Sequence, residues 1–432
     1  MTDRDFPGAR PYRFALMTVV VGVLAGAAGT LLALLLHAVQ HLAYGYSGGP
    51  FLAGAEAASP LRRVAVMVVA GVVGGVGWWA LYRFGRPLVG VGDAVRAELP
   101  RMPLLTTTVH ALLQILTVAL GSPLGREVAP RELAAAFAGE ACRRAGLTKR
   151  QCQVLVACAA GGGLAAVYDV PLGALVFTLE VVLGTWAVGA VIPAAAVAAL
   201  ATWVSWLALP DEPVYHLPEL NVGGSLIVWS VLAGPVIGGC AYLFSATARA
   251  ARARAPRGRT LLLALPAAFL ATGLLAIHYP QLLGNGKAPA EVAFSTQPGI
   301  ALAAVLLVLR TVVVVLCLGA GASGGLLTPS FANGALLGVV TGGAWVLLWP
   351  GASIGAYAVV GAGAFLAVAQ RMPVTAVVLT LEFTDAPWDL GVPVLLAVAG
   401  AMAVRALCVR GTAARDAARQ EGEHAEAGTS PS

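Results

Sequence analysis

Two segments of this chain carry one pattern in one register: AAGGGLAAVYDVPLGALVFTLE at 159–180 and GAGAFLAVAQRMPVTAVVLTLE at 361–382. Without a gap, Ala160 aligns with Ala362, Gly161 with Gly363, Leu164 with Leu366, Pro171 with Pro373, Thr178 with Thr380 and Glu180 with Glu382. Chance similarity between alanine-rich helices does not put a proline, a glycine and a glutamate at matching places in apolar sequence. The chain is therefore read as two homologous halves, which restricts the fold to architectures built by duplication.

The solvent of those halves follows from composition. Of the 432 residues, 59% are hydrophobic and 11% charged, against roughly 25% charged in soluble domains. An ordinary soluble enzyme is excluded. Apolar blocks run from Phe14 to Leu36 and then over about 64–82, 104–121, 152–168, 171–209, 227–246, 260–277, 300–320, 331–349, 354–369, 373–383 and 391–409. A spanning helix needs about 20 apolar residues, and the length allows on the order of ten membrane segments or more. The first block is too long for the apolar core of a signal peptide and is read as a transmembrane helix. The fold class is an all-α polytopic membrane protein.

Charge placement sets the orientation. Arg4, Arg10 and Arg13 precede the first helix, whereas the next loop up to Pro60 carries only Glu56, which places the N-terminus in the cytoplasm. Asp211, Glu212 and Glu219 mark 210–226 as an external linker. Arg249, Arg252, Arg254, Arg257 and Arg259 mark the next loop as cytoplasmic. The span at 227–246 thus runs opposite to the first helix, and the duplication is an inverted repeat. The expected organisation is a cytoplasmic segment 1–13, half-repeats 14–209 and 227–410, and a cytoplasmic tail 411–432 polar enough to be disordered. The net charge of +6 follows from this loop asymmetry, so no nucleic-acid partner is expected. The six cysteines form no CxxC pair and read as small packed residues. His37 and His41 have the i, i+4 spacing of a two-histidine metal site, but without a third ligand they read as interfacial polar residues. No metal or cofactor is expected. No phosphate loop or other enzyme signature occurs.

Several blocks are interrupted by glycine and proline, and lipid does not tolerate exposed irregular backbone. In LGSPLGREVAPRELAAAF (120–137) a helix breaks and a new one opens after Arg126-Glu127. A helix N-terminus presents unpaired N–H groups and partial positive charge, a ready anion site. Glu127 is then either a tethered anion that a diffusing anion displaces, or an ordinary capping acid. The second half has a matching break, GAGASGGLLTPSFANGALLG (319–338), with Thr328 and Ser330 as nearby polar groups. Paired broken helices point to a site near the membrane midplane.

GREVAP at 125–130 resembles the GREGP motif of CLC chloride channels and proton/chloride antiporters. GASGGLLTP at 321–329 resembles their GGIFxP motif, and AAVYDVPLGALVFTLE at 165–180 their proline-and-glutamate helix. The resemblance extends over roughly 14–410. It implies the CLC fold with broken and re-entrant helices, and a homodimer in the cell membrane with an anion pathway in each subunit. It also implies transport of chloride or another small anion, as a channel or coupled to protons. Glu127 corresponds to the gating glutamate. Gly125, Arg126 and Val128 surround it as anion-site residues, with Leu326 and Leu327 as backbone donors of the opposite helix. GVGDA at 90–94 occupies the place of the family's GSGIP loop, so Gly90, Val91 and Gly92 are expected at the central site, with valine in place of the usual serine. No tyrosine follows Tyr357 where the family has a late pore tyrosine, and Val181 stands where antiporters place an internal glutamate. Arg310, Glu180 and Glu382 are read as structural charges within the membrane. These departures keep two other readings open: a carrier for fluoride, nitrate or an organic anion, and a non-conducting membrane protein on a CLC frame.

Overall fold

The computed structural model describes residues 11–97, 101–295 and 299–428. The first half contains α1 (Pro11–Tyr44), α2 (Phe51–Ala57), α3 (Pro60–Phe84), α4 (Val91–Arg96), α5 (Leu104–Ala119), α6 (Val128–Arg144), α7 (Lys149–Tyr168), α8 (Pro171–Phe177) and α9 (Val188–Ser205). The second contains α10 (Gly224–Ala253), α11 (Leu261–Leu275), α12 (Lys287–Phe294), α13 (Ile300–Gly319), α14 (Leu327–Val346), α15 (Ile354–Gln370), α16 (Pro373–Thr384) and α17 (Gly391–Gly428). Among the described helices, α1, α3, α7, α9, α10, α13 and the apolar part of α17 are long and apolar enough to cross a membrane. The apolar block 171–209 is not one element. It is α8, a wider π turn over Thr178–Leu183, and α9 after Gly184 has turned left-handed at φ 63°.

The duplication is visible in the backbone. Asp169 ends α7 at φ 54° and Arg371 ends α15 at φ 60°. The next residues, Val170 and Met372, have nearly the same angles (φ −132°, ψ 67° and φ −138°, ψ 68°). Each precedes a proline, which bars its neighbour from the helical region and reopens a helix at its own first position. The two breaks match as well. Gly121 and Gly321, at φ 113° and 100°, close α5 and α13 in the same way. Ser122 N–H donates to Thr117 O and Ala322 N–H to Cys317 O, both at 2.9 Å. That is a glycine C-cap, open only to a residue free of the left-handed penalty.

The halves are locked by exchanged caps. The Glu180 carboxylate accepts from Val374 N–H (3.1 Å), Thr375 N–H (2.7 Å) and the Thr375 hydroxyl (2.6 Å), at the start of α16. Glu382 accepts from Leu172 N–H (2.9 Å) and Gly173 N–H (2.6 Å), at the start of α8. Each half thus supplies the anion that satisfies the other half's helix N-terminus, where orphan N–H groups and the helix dipole both favour it. Charge-assisted bonds of this kind contribute roughly 1.5–3 kcal/mol. Glu180→Gln is expected to lower the thermal midpoint in detergent, and more than Glu382→Gln does, because Glu180 holds the additional hydroxyl. Midpoints equal to the parent protein's would remove the stabilising role.

Lipid supplies no hydrophobic drive for helix pairing, so close packing of small residues takes its place. α14 meets α15 in this way through Gly334, Gly338 and Gly361. The linker 210–226 is tied down by Tyr215. Its ring is fully buried, stacked on Phe331 at 5.4 Å and edge-on to Phe294, while its N–H donates to Phe383 O at 2.9 Å. Residues 411–428 continue α17 as helix, in a stretch whose commonest residue is alanine, the strongest helix former. Of the cysteines, Cys142, Cys152, Cys158 and Cys317 are buried as free thiols.

Candidate functional site

The two broken segments meet head to head. Gly125 N–H donates to Gly325 O (2.8 Å) and Gly325 N–H returns the bond to Gly125 O (2.9 Å), an isolated antiparallel bridge between the halves. Immediately beyond it, α6 and α14 begin.

Arg310 sets this junction. It is fully buried on α13, and its guanidinium donates to Pro123 O in the first break (3.1 Å) and to Leu282 O (3.3 Å) and Gly284 O (3.2 Å) before α12. Gly284 N–H completes the tie to Gly121 O at 2.9 Å. A charge on fixed donors is thus spread over carbonyls that irregular backbone leaves without helical partners.

Glu127 lies at the mouth of α6 and is 1% exposed. Its side chain makes no capping bond to α6. It crosses the junction, and Oε1 accepts from Leu327 N–H, the first residue of α14, at 2.7 Å. Oε2 is within 3.4 Å of the Tyr168 and Thr328 hydroxyls, which are 3.0 Å from each other. The carboxylate therefore occupies an anion position at the N-terminus of the opposite helix, where the sequence reading had set it at α6. A Cβ on Gly125 or Gly325 would collide with that carboxylate, so the bridge must be glycine for the side chain to lie across it.

The surroundings are cationic. Arg126 stacks over the Tyr168 ring at 4.9 Å and donates to Val167 O at 3.3 Å. Arg131 stacks over Phe177 at 4.4 Å, and Arg252 donates to Gly324 O at 2.9 Å. Two recesses flank the junction. Arg126 lines one of about 350 Å³ together with His37, His41, Lys287 and Glu291. Val128 lines another of about 260 Å³ together with His110, Glu132, Arg252 and Gly324. Glu127 stands between the residues that open onto each. His37 and His41 belong to the first recess, and among the described residues no group of three or more potential metal ligands occurs.

The expected site residues do not all converge. Gly125, Leu327 and Glu127 come together directly, with Arg126 and Val128 on either side. Leu326 precedes α14 and its carbonyl accepts from Ser330 N–H, whereas the donor to Glu127 is Leu327. Gly90 and Gly92 are half-buried at the start of α4, and Val91 packs into an apolar cluster with Met17, Val21 and Val95. Among the described residues no hydrogen bond joins Gly90, Val91 or Gly92 to Glu127. The hydroxyls that do reach the carboxylate, from Tyr168 and Thr328, lie elsewhere in the chain. Thr328 was legible as a polar group in the second break. Tyr168 had no signal beyond its place inside the first copy of the repeat.

An inverted duplication whose two broken helices meet over a buried carboxylate defines a polytopic membrane protein of the helical, re-entrant class. The chain belongs to the voltage gated chloride channel (CLC) family, whose family model matches residues 65–406. It is 26% identical over 427 residues to the H(+)/Cl(−) exchange transporter ClcA of Vibrio parahaemolyticus, covering 93% of this chain and 88% of that protein. It is 28% identical over 390 residues to the voltage-gated ClC-type chloride channel ClcB of Salmonella typhimurium, covering 86% of this chain and 91% of that one. In fold it is similar to a slow cyanobacterial Cl−/H+ antiporter of known crystal structure, with TM-score 0.79, 19% identity, and 94% and 99% of the two chains covered.

Proposed function

We propose that this protein carries chloride or a similar small anion across the membrane, with Glu127 as the gate. One observation carries the reading: the Glu127 carboxylate holds Leu327 N–H at the N-terminus of α14, where a permeating anion would exchange its water for backbone donors. A mobile anion and the tethered carboxylate compete for that place. Protonation neutralises the carboxylate and ends its side of the competition, so flux rises as pH falls. Gly125, Arg126 and Val128 line the approaches, and Leu327 is the donor on the far side. Gly90, Val91 and Gly92 belong to a more distant part of the pathway or to packing. Arg310, Glu180 and Glu382 hold the frame.

The reading includes half-repeats at 14–209 and 227–410 and both termini in the cytoplasm, supported by the arginines of 249–259 and the acidic residues of 210–226. It includes a homodimer with one pathway per subunit. Exposed apolar side chains of both halves on neighbouring helices support that assembly, among them Leu172, Ile192, Val374 and Leu395. The test is reconstitution in liposomes. Chloride efflux is expected, with fluoride, nitrate and an organic anion added singly as competitors to rank selectivity. A chloride gradient that drives proton uptake identifies an exchanger, and chloride flux without it identifies a channel. No flux of any anion would end the reading.

A further inference from the structure

The family's internal acid is replaced here by Val181, yet the recess beside Val128 holds another acid. His110 Nδ1 on α5 and Glu132 Oε2 on α6 are 2.9 Å apart in its wall. Gln114 Nε2 lies against both, 3.0 Å from His110 Nδ1 and 3.2 Å from the same carboxylate oxygen. Its Oε1 is buried with no partner, an acceptor left open inside a cavity roomy enough for water. We propose that His110 and Glu132 form a proton-loading site that exchanges protons between the arginine-rich loop side of the membrane and Glu127. The inference rests on the anion-transport reading above.

The geometry provides for both halves of the task. The recess is lined both by Arg252 and Arg257, from the arginine-rich segment, and by Val128, the residue next to Glu127. Glu132 lies five residues after Glu127 along α6, an axial rise of about 7.5 Å, and shares the recess with Val128. The groups facing the pair are Tyr82 from α3, Arg252 and Arg257 from α10 and its loop, and the Ser323 hydroxyl from the second break. Arg131, on α6 itself, interacts electrostatically with both Glu127 and Glu132. Across the 2.9 Å contact one proton is shared between imidazole and carboxyl, carried on either His110 or Glu132, and this is the unloaded pair. One further proton from water converts the imidazole to imidazolium. That proton then passes through water to the Glu127 carboxylate, which becomes a neutral acid, and the pair returns to its starting state.

A structural role predicts that Glu132→Gln, which keeps shape and hydrogen bonding, alters little. The loading role predicts that it separates the two fluxes. The full-length protein in liposomes, followed by chloride and pH electrodes together, is expected to lose proton flux on the order of 10²-fold, the scale of a positioned proton-transfer group, while chloride flux persists. Glu132→Asp is expected to restore part of the proton flux. If Glu132→Gln does not reconstitute, His110→Asn carries the same expectation. An unchanged proton-to-chloride ratio in these variants, or chloride flux without protons in the parent protein, overturns the inference and leaves anion transport standing. Absence of chloride flux in the parent protein overturns both.

Discussion

Glu127→Gln is expected to make anion flux fast and flat in pH. The Glu127 carboxylate holds Leu327 N–H at 2.7 Å, and on the proposed reading its ionised form excludes a diffusing anion from the start of α14. Glutamine has the same shape but no charge, and a neutral acceptor binds an N–H about half as strongly. Halving a charge-assisted bond of roughly 1.5–3 kcal/mol removes about 0.8–1.5 kcal/mol of tether, which favours the vacated site by roughly fourfold to tenfold. The sign follows from which form competes. Acidification converts the parent carboxylate to the neutral form that glutamine mimics, so parent flux climbs towards the variant's as pH falls and the variant's own flux stays level. Paired flux curves across pH test this, and a variant that keeps the parent's slope would show that another group gates.

Arg310→Met is expected to be the most damaging single change in stability. The methionine fills much of the volume but donates nothing, which leaves Pro123 O, Leu282 O and Gly284 O without the donor that serves them. Each buried carbonyl left unpaired costs about 1–3 kcal/mol. The sum is a large share of the ~5–15 kcal/mol by which folded proteins are stable. Little monodisperse protein should survive extraction, with a sharply lowered thermal midpoint in what does. Arg310→Lys should recover only part of it, since a single ammonium does not reproduce the forked reach to both sides of the junction. A normal midpoint for Arg310→Met would mean that water serves those carbonyls instead.

Much of the frame was legible in the chain because its cues are local. A proline, the residue before it and a glutamate nine positions on recur at 171–180 and 373–382, and each acts through backbone sterics or helix ends that sequence states directly. The same holds for the helix stops at Gly121 and Gly321. What sequence could not show is contact between the halves. That Glu127 leans across to Leu327 and not onto its own helix depends on how α6 and α14 approach, which the Gly125–Gly325 bridge sets in space. The exchanged caps of Glu180 and Glu382 are of the same kind. Each glutamate reads as an expensive charge in lipid until its partner is seen to be the N-terminus of the other copy. Arg310 gave no hint of which carbonyls it serves, because Pro123 and Gly284 lie far from it along the chain.

The motif resemblance also placed the hydroxyls differently. It drew attention to Val91 and the missing late tyrosine at the central site, whereas the hydroxyls within reach of the Glu127 carboxylate come from Tyr168, at the end of α7, and Thr328, in the first turn of α14. Their mutual hydrogen bond of 3.0 Å fixes both beside Oε2. An anion replacing that carboxylate would meet two hydroxyls and a backbone N–H, a neutral donor set that replaces hydration without trapping the ion by full charge.

The central claim is that Glu127 and the transported anion occupy one place. Titration calorimetry of chloride into the purified protein and into Glu127→Gln, at a pH where the carboxylate is ionised, tests it without any transport assay. The variant is expected to bind chloride roughly fourfold to tenfold more tightly, the free energy of the weakened competitor, and the difference is expected to shrink as pH is lowered. Equal affinities at every pH would contradict a shared site.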